Sequence, residues 1–256
     1  MRSSRWITRA LWSTVLVLAT IGLAAVMLRT LSLAQLTQPV LDPGARPMDA
    51  DLDAGFAQHP LLTMIHIIPG SLFIVLGPLQ FVQRIRSRHL RWHRWSGRVF
   101  VASSLVIGIT ALGMSFLMAI GGANETAATT FFAIVFLFAL GKAFFHIRRR
   151  EIAQHREWMI RTFAIGLAIA TIRPIIGLFF GLTDLSPREF FGIAFWLGFT
   201  SHLVAAEVWI NHTRPSGKPV VKPPGLPSSV PVGGSRPGMS RSRDSERPAP
   251  DRRALS

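Results

Sequence analysis

Cysteine is absent from the 256-residue sequence. That excludes disulfides, thiolate nucleophiles and Cys-ligated metal or iron–sulfur centres. Charge is sparse as well. Only 16% of residues are charged, against about 25% in ordinary soluble domains. Acidic residues are the scarcer kind, with 13 Asp and Glu against 28 Lys and Arg. Also missing are a Gly-rich phosphate loop, a Ser/His/Asp arrangement, an HExxH helix and a DxxD-type helix motif, which argues against hydrolase or kinase chemistry of the soluble type.

What the chain has instead is apolar length. Hydrophobic residues make up 49% of it, with a mean hydropathy of +0.37. They come in six long blocks, at residues 11–28, 61–82, 99–119, 127–145, 158–182 and 190–210. A hydrocarbon core about 30 Å thick takes about 20 apolar residues per helical crossing. The fold class that follows is an all-α integral membrane protein of six transmembrane helices. The first block competes with a signal peptide, Ser32-Leu33-Ala34 serving as its cleavage site. No charge interrupts the stretch from Arg9 to Arg29, which is long for a signal core of about 7–15 residues and favours an uncleaved helix. Three regions result: 1–59 with the first helix and a polar external loop, 60–211 with the remaining helices, and 212–256. The last is rich in Pro, Ser, Gly and Arg with little to bury, and reads as a disordered tail.

A net charge of +15 raises the question of nucleic acid, but its distribution points to a membrane. Arginines cluster in Gln83–Arg98, around Lys142–Arg161, at the N-terminus and in the tail, so that 24 of the 28 basic residues share one side of a six-helix topology. Arg29, Arg46 and Arg188 fall on the other, and Arg173 lies inside the fifth block. The positive-inside rule then puts both termini in the cytoplasm and the basic loops against anionic lipid head groups, with no nucleic-acid partner. Trp92, Trp95, Trp158 and Trp209 fall near inner helix ends, where amphipathic rings prefer the head-group layer.

Few residues are left to carry chemistry. Arg173 lies about 13 Å, and His66 about 8 Å, from the outer ends of their helices at 1.5 Å per residue. An intramembrane Arg seeks the bundle interior and a partner, so these two define a candidate outer pocket. His93-Arg94-Trp-Ser-Gly-Arg98 and His155-Arg156-Glu-Trp-Met-Ile-Arg161 each place His-Arg at the start of a helix with another Arg about a turn on. Both suit an anion or a cofactor's acidic groups; lipid phosphates and topology account for the same arginines. The likeness of the two motifs also suggests a duplicated helical hairpin. Glu207, near the inner end of the last helix, reads as an ion-pair partner for the arginines of the basic loops. His146 and His202 are candidate haem ligands, at depths of about 28 and 18 Å from the outer face, and haem b is the corresponding cofactor.

His66-Ile-Ile-Pro-Gly70, Leu76-Gly-Pro-Leu-Gln80, the two His-Arg motifs, Arg173 and Glu207 together resemble the bacterial membrane family catalogued as domain of unknown function 2306, over about residues 60–210. The resemblance implies a helical bundle in the bacterial cytoplasmic membrane and supplies no activity. A looser likeness to di-haem cytochrome b membrane proteins stops short of four histidines in two depth-matched pairs. Two functions of different class stay open: a redox-type membrane protein holding haem b or a quinone through bundle histidines, and a non-enzymatic transporter of small solutes or lipids, or an accessory subunit.

The charge distribution generates the first prediction. A reporter active only in the cytoplasm should work when fused after Asn211 or within residues 84–92, and a periplasm-only reporter within residues 40–55. Periplasmic activity at the C-terminal fusion would overturn the six-helix orientation.

Overall fold

A computed structural model describes residues 2–35, 56 and 58–214. Among them are seven helices and no strands: α1 Arg2–Gln35, α2 Pro60–Phe81, α3 Gln83–Arg88, α4 Leu90–Leu117, α5 Gly122–Arg148, α6 Ile152–Leu182 and α7 Pro187–Thr213. All except the short α3 are long and apolar enough to cross a membrane. The shortest of the six, α2 at 22 residues, is about 33 Å long at 1.5 Å per residue. Most of the external loop and nearly all of the tail expected from the sequence lie outside the described residues.

The helices outrun the hydropathy blocks. Gln83–Arg98, expected as a loop, is helical except at Val82 and His89, where the backbone leaves the helical region. Hydropathy marks where a helix leaves lipid, whereas its hydrogen bonds run on into water as long as propensity allows, and Arg, Leu and Gln are good helix formers. Similarly, α2 runs through Pro69 and Pro78, and α6 through Pro174. Neighbouring helices make such interruptions tolerable in a membrane.

Local chemistry sets the turns. The α5–α6 connection is a Schellman motif, in which Glu151 N–H donates to His146 C=O (2.9 Å) and Arg150 N–H to Ile147 C=O (3.1 Å). It requires a left-handed residue, and Arg150 supplies it at φ 61°. At the start of α7, Ser186 precedes Pro187, and its N–H donates to the Glu189 carboxylate at 2.7 Å; the pair makes a capping box.

Five helices pack in a closed ring, α1 on α2, α2 on α4, α4 on α5, α5 on α6 and α6 back on α1. The remaining long helix, α7, lies against α5 and α6. Inside the ring stands a cluster of phenylalanines. Phe73 stacks on Phe100 with centroids 4.7 Å apart, and Phe163 and Phe136 lie 5.7 and 6.0 Å from Phe73. Glycines let these rings in: a Cβ on Gly77 would overlap the Phe163 ring, and one on Gly166 the Phe73 ring. Small residues that admit a neighbouring helix are the usual means of association in lipid, where burial of apolar surface drives little. The outer surface is apolar to match, with Leu61, Phe138, Leu197 and Val208 all exposed. α1 is the most peripheral, with Ala19 its only buried hydrophobic among the described residues.

Gly166 and Gly177 both lie inside α6, but nothing surrounds the Cβ position at Gly177. Gly166→Ala should lower the unfolding free energy in detergent by about 1–3 kcal/mol through overpacking against Phe73. Gly177→Ala should raise it by about 0.5–1 kcal/mol through helix propensity. Equal melting temperatures for the two variants would show that the Phe73–Gly166 contact carries no strain.

Candidate functional site

The ring is filled by aromatic side chains in its middle and hollow toward one end. The hollow end is the one bearing the α4–α5 and α6–α7 connections, opposite the basic connections. The cavity there has a volume of about 390 Å³, within the range of about 300–1,000 Å³ typical of small-molecule sites. Its wall is mainly Ile, Ala, Met and Phe, with Phe132, Phe136, Phe195 and Phe199 among them. The polar members are Arg29, His66, Ser115, Glu125, Thr129 and Arg173.

Several of these polar groups are spoken for within the chain. Glu125 folds back over the first turn of α5, where its carboxylate accepts from Gly121 N–H at 2.6 Å. Ser115 and Thr130 share a hydrogen bond of 3.0 Å between α4 and α5. Arg29 lies over the Phe56 ring, its guanidinium carbon 4.0 Å from the centroid. Three other groups have no partner among the described residues. Arg173 makes no ion pair or hydrogen bond there, and the nearest charge acting on it is that of Arg29. Thr129 Oγ1 is buried and without a partner. The third is one nitrogen of His66.

The state of His66 follows from counting protons. Thr110 Oγ1 lies 2.7 Å from Val106 C=O and 2.8 Å from His66 Nδ1. Each contact needs a hydrogen, and a carbonyl can only accept. The hydroxyl proton therefore goes to Val106, and His66 must donate Nδ1–H to Thr110. In that tautomer Nε2 carries a bare lone pair, and it makes no hydrogen bond among the described residues.

His66 and Arg173 thus stand on the wall of one cavity, along with Arg29, Glu125 and Thr129, which sequence reasoning did not single out. A signal for two of these exists. Glu125, Thr129, Phe132 and Phe136 recur at helical spacing and define one face of α5. It goes unnoticed when the hydrophobic block is started at Ala127.

The other candidate residues sit at the basic end. Arg161 Nε and Nη2 hold the Glu207 carboxylate in a two-toothed contact at 2.5 and 2.9 Å. Arg156 donates to Thr213 at 3.1 Å, and Arg214 closes a second two-toothed pair on Glu157, at 2.8 Å for each contact. These three links fasten the start of α6 to the end of α7. His155 Nδ1–H donates to Ala143 C=O at 2.9 Å. The second motif is therefore engaged within the chain. In the first motif Arg94 and Arg98 are exposed, and His93 Nδ1 is buried without a partner.

The two candidate haem ligands, His146 and His202, stand in different surroundings. His202 is used at both nitrogens, donating Nδ1–H to Ala164 C=O (3.0 Å) and accepting from Thr171 at Nε2 (2.8 Å). Iron needs a bare imidazole nitrogen. His146 is at the basic end, its Nδ1–H on Glu151 at 2.5 Å. Neither lines the cavity. Buried imidazoles in lipid take hydrogen-bond partners wherever a carbonyl or hydroxyl is within reach.

Fold and site define a multi-pass helical membrane protein with an internal cavity. Residues 63–210 match the model of a family described as predicted membrane protein, DUF2306. The match covers more than half of the chain, and the protein belongs to that family. No curated protein and no solved structure matches it significantly.

The inter-helix links at the basic end are testable by a double-mutant cycle. Glu207→Gln and Arg161→Leu should each lower stability in detergent by about 1–3 kcal/mol, a partly buried pair broken on one side costing less than a fully buried one. Their combination should cost less than the sum. Arg161→Lys should restore only part of the loss, since an ammonium cannot make the two-toothed contact. Additive effects would show that the pair contributes nothing.

Proposed function

We propose that this protein binds a quinone-type amphiphile in the cavity, from a cytoplasmic membrane in which the basic connections face the cytoplasm. The observation that carries this reading is Arg173, an intramembrane guanidinium without an acceptor among the described residues, opening onto an otherwise apolar and aromatic space. A guanidinium donates and never accepts, so the head group it suits bears acceptor oxygens. Phenylalanine walls favour a flat ring, which can stack or meet them edge-on. The volume suits one such head group, with its tail free to leave between helices into lipid. The haem version of a redox function finds no support in the histidine geometry. The basic loops, lying where anionic lipid head groups would be, suit the same orientation.

A second reading has a specific observation behind it. The Arg173 guanidinium equally suits the carboxylate or phosphate of an acidic lipid, as in a lipid-handling transporter or accessory subunit.

Titration of the purified protein with decylubiquinone and with decanoate separates the two. Trp196 packs against the cavity residue Phe132 with centroids 5.5 Å apart, so occupancy should quench tryptophan fluorescence. Saturable binding of decylubiquinone, weakened about tenfold or more in Arg173→Leu by loss of a charge-assisted hydrogen bond, is the expected result. Binding of decanoate alone would transfer the site to the acidic-lipid reading.

A further inference from the structure

Resting on the quinone reading, we infer that His66 makes the cavity select the reduced ligand: the site is built for a quinol rather than a quinone. The three polar groups without partners among the described residues differ in kind. Arg173 offers only donors. Thr129 Oγ1 can donate or accept. His66 Nε2, with its hydrogen fixed on the far nitrogen by Thr110 and Val106, can only accept. A ligand that satisfies all three needs an oxygen that accepts from Arg173 and a hydroxyl that donates to Nε2.

An oxidised quinone has two carbonyls and no hydroxyl. Its oxygens suit Arg173 and Thr129, but a carbonyl facing Nε2 sets two lone pairs against each other. Carboxylate and phosphodiester anions, which carry no hydroxyl, fail in the same way. A quinol has two hydroxyls, each able to accept and to donate, and satisfies all three groups without any change in the protein. The discrimination resembles that of sites built to hydrogen-bond a substrate hydroxyl, which penalise the analogue lacking it because a buried polar group is left unpaired. No electron moves in this step. The quinol O–H proton is shared with Nε2, and binding alone separates the two redox forms.

Thr110 is the positioning residue. It sits on α4, the helix packed against α2, and its own proton is committed to the helix turn behind it. Without it Nδ1–H loses its acceptor and either tautomer becomes accessible.

The test is anaerobic calorimetric titration of the full-length protein with decylubiquinol and with decylubiquinone. Wild type should bind the quinol about tenfold more tightly, the value of one well-placed hydrogen bond. His66→Leu should abolish that preference, weakening the quinol and relieving the lone-pair opposition to the quinone, and retained quinone binding also shows that the variant is folded. His66→Gln should keep most of the preference, its amide N–H directed at Thr110 and its oxygen toward the ligand. Equal affinities in wild type, or a preference that survives His66→Leu, would overturn the role of His66 while leaving the quinone site standing. Failure of both forms to bind would overturn the site reading itself, and the selection with it.

Discussion

A bilayer core offers no hydrogen-bonding partners, so every polar group that enters it must be satisfied by the chain itself or by something the chain binds. That constraint accounts for the six long helices, which satisfy the backbone internally, and it reaches the side chains too. Thr14, Thr20, Ser71, Ser104 and Thr162 each return their hydroxyl proton to the carbonyl four residues earlier. Polar pairs cross between helices, as in Gln80 with Ser96 at 2.8 Å and His202 with Thr171. Against so complete a satisfaction, the exceptions carry information. Besides His93 Nδ1 at the basic end, they are Arg173, Thr129 Oγ1 and one nitrogen of His66 among the described residues, and these three are on one cavity.

The packing explains why that cavity is at one end only. Phe73, Phe100, Phe136 and Phe163 fill the middle of the ring, admitted by glycines at 77 and 166. Beyond them, toward the basic connections, the polar groups pair with one another through Arg161–Glu207, Arg214–Glu157 and His146–Glu151. Each of these three carboxylates takes an arginine or a histidine from a neighbouring turn or helix. At the opposite end the one carboxylate on the cavity wall, Glu125, is drawn back to Gly121 N–H. Arg173 is left there without an acceptor among the described residues.

How much of this the sequence discloses depends on the range of the interaction. Span number follows from composition averaged over about 20 residues, and no tertiary contact revises it. Helix ends are set by individual backbone hydrogen bonds, so the helical character of Gln83–Arg98 is hidden behind its arginines. For the site, depth along a helix is legible at 1.5 Å per residue, and depth alone brings His66 and Arg173 to the same half of the bundle. Rotation about the helix axis is not legible that way. It decides that Thr110 meets His66 and that Thr129 faces the cavity, contacts between residues 44 apart in sequence in the first case. The same holds for His146 and His202: depth is legible, but only the neighbours of each imidazole decide whether a nitrogen is free.

The two His-Arg motifs show how like sequences take unlike roles. Each stands at the basic-end start of a helix, yet the α6 motif is engaged throughout, with His155 on Ala143 C=O, Arg156 on Thr213 and Arg161 on Glu207. The α4 motif has no carboxylate among its contacts, and Arg94 and Arg98 remain exposed. The difference lies in the neighbours. α6 starts beside the end of α7, which brings Glu207 and Thr213, whereas α4 starts beside α3, a helix whose charged residues are all arginines. A shared motif therefore shares only the placement of positive charge at a membrane face. In α6 that charge holds two helices together, and in α4 it is directed outward.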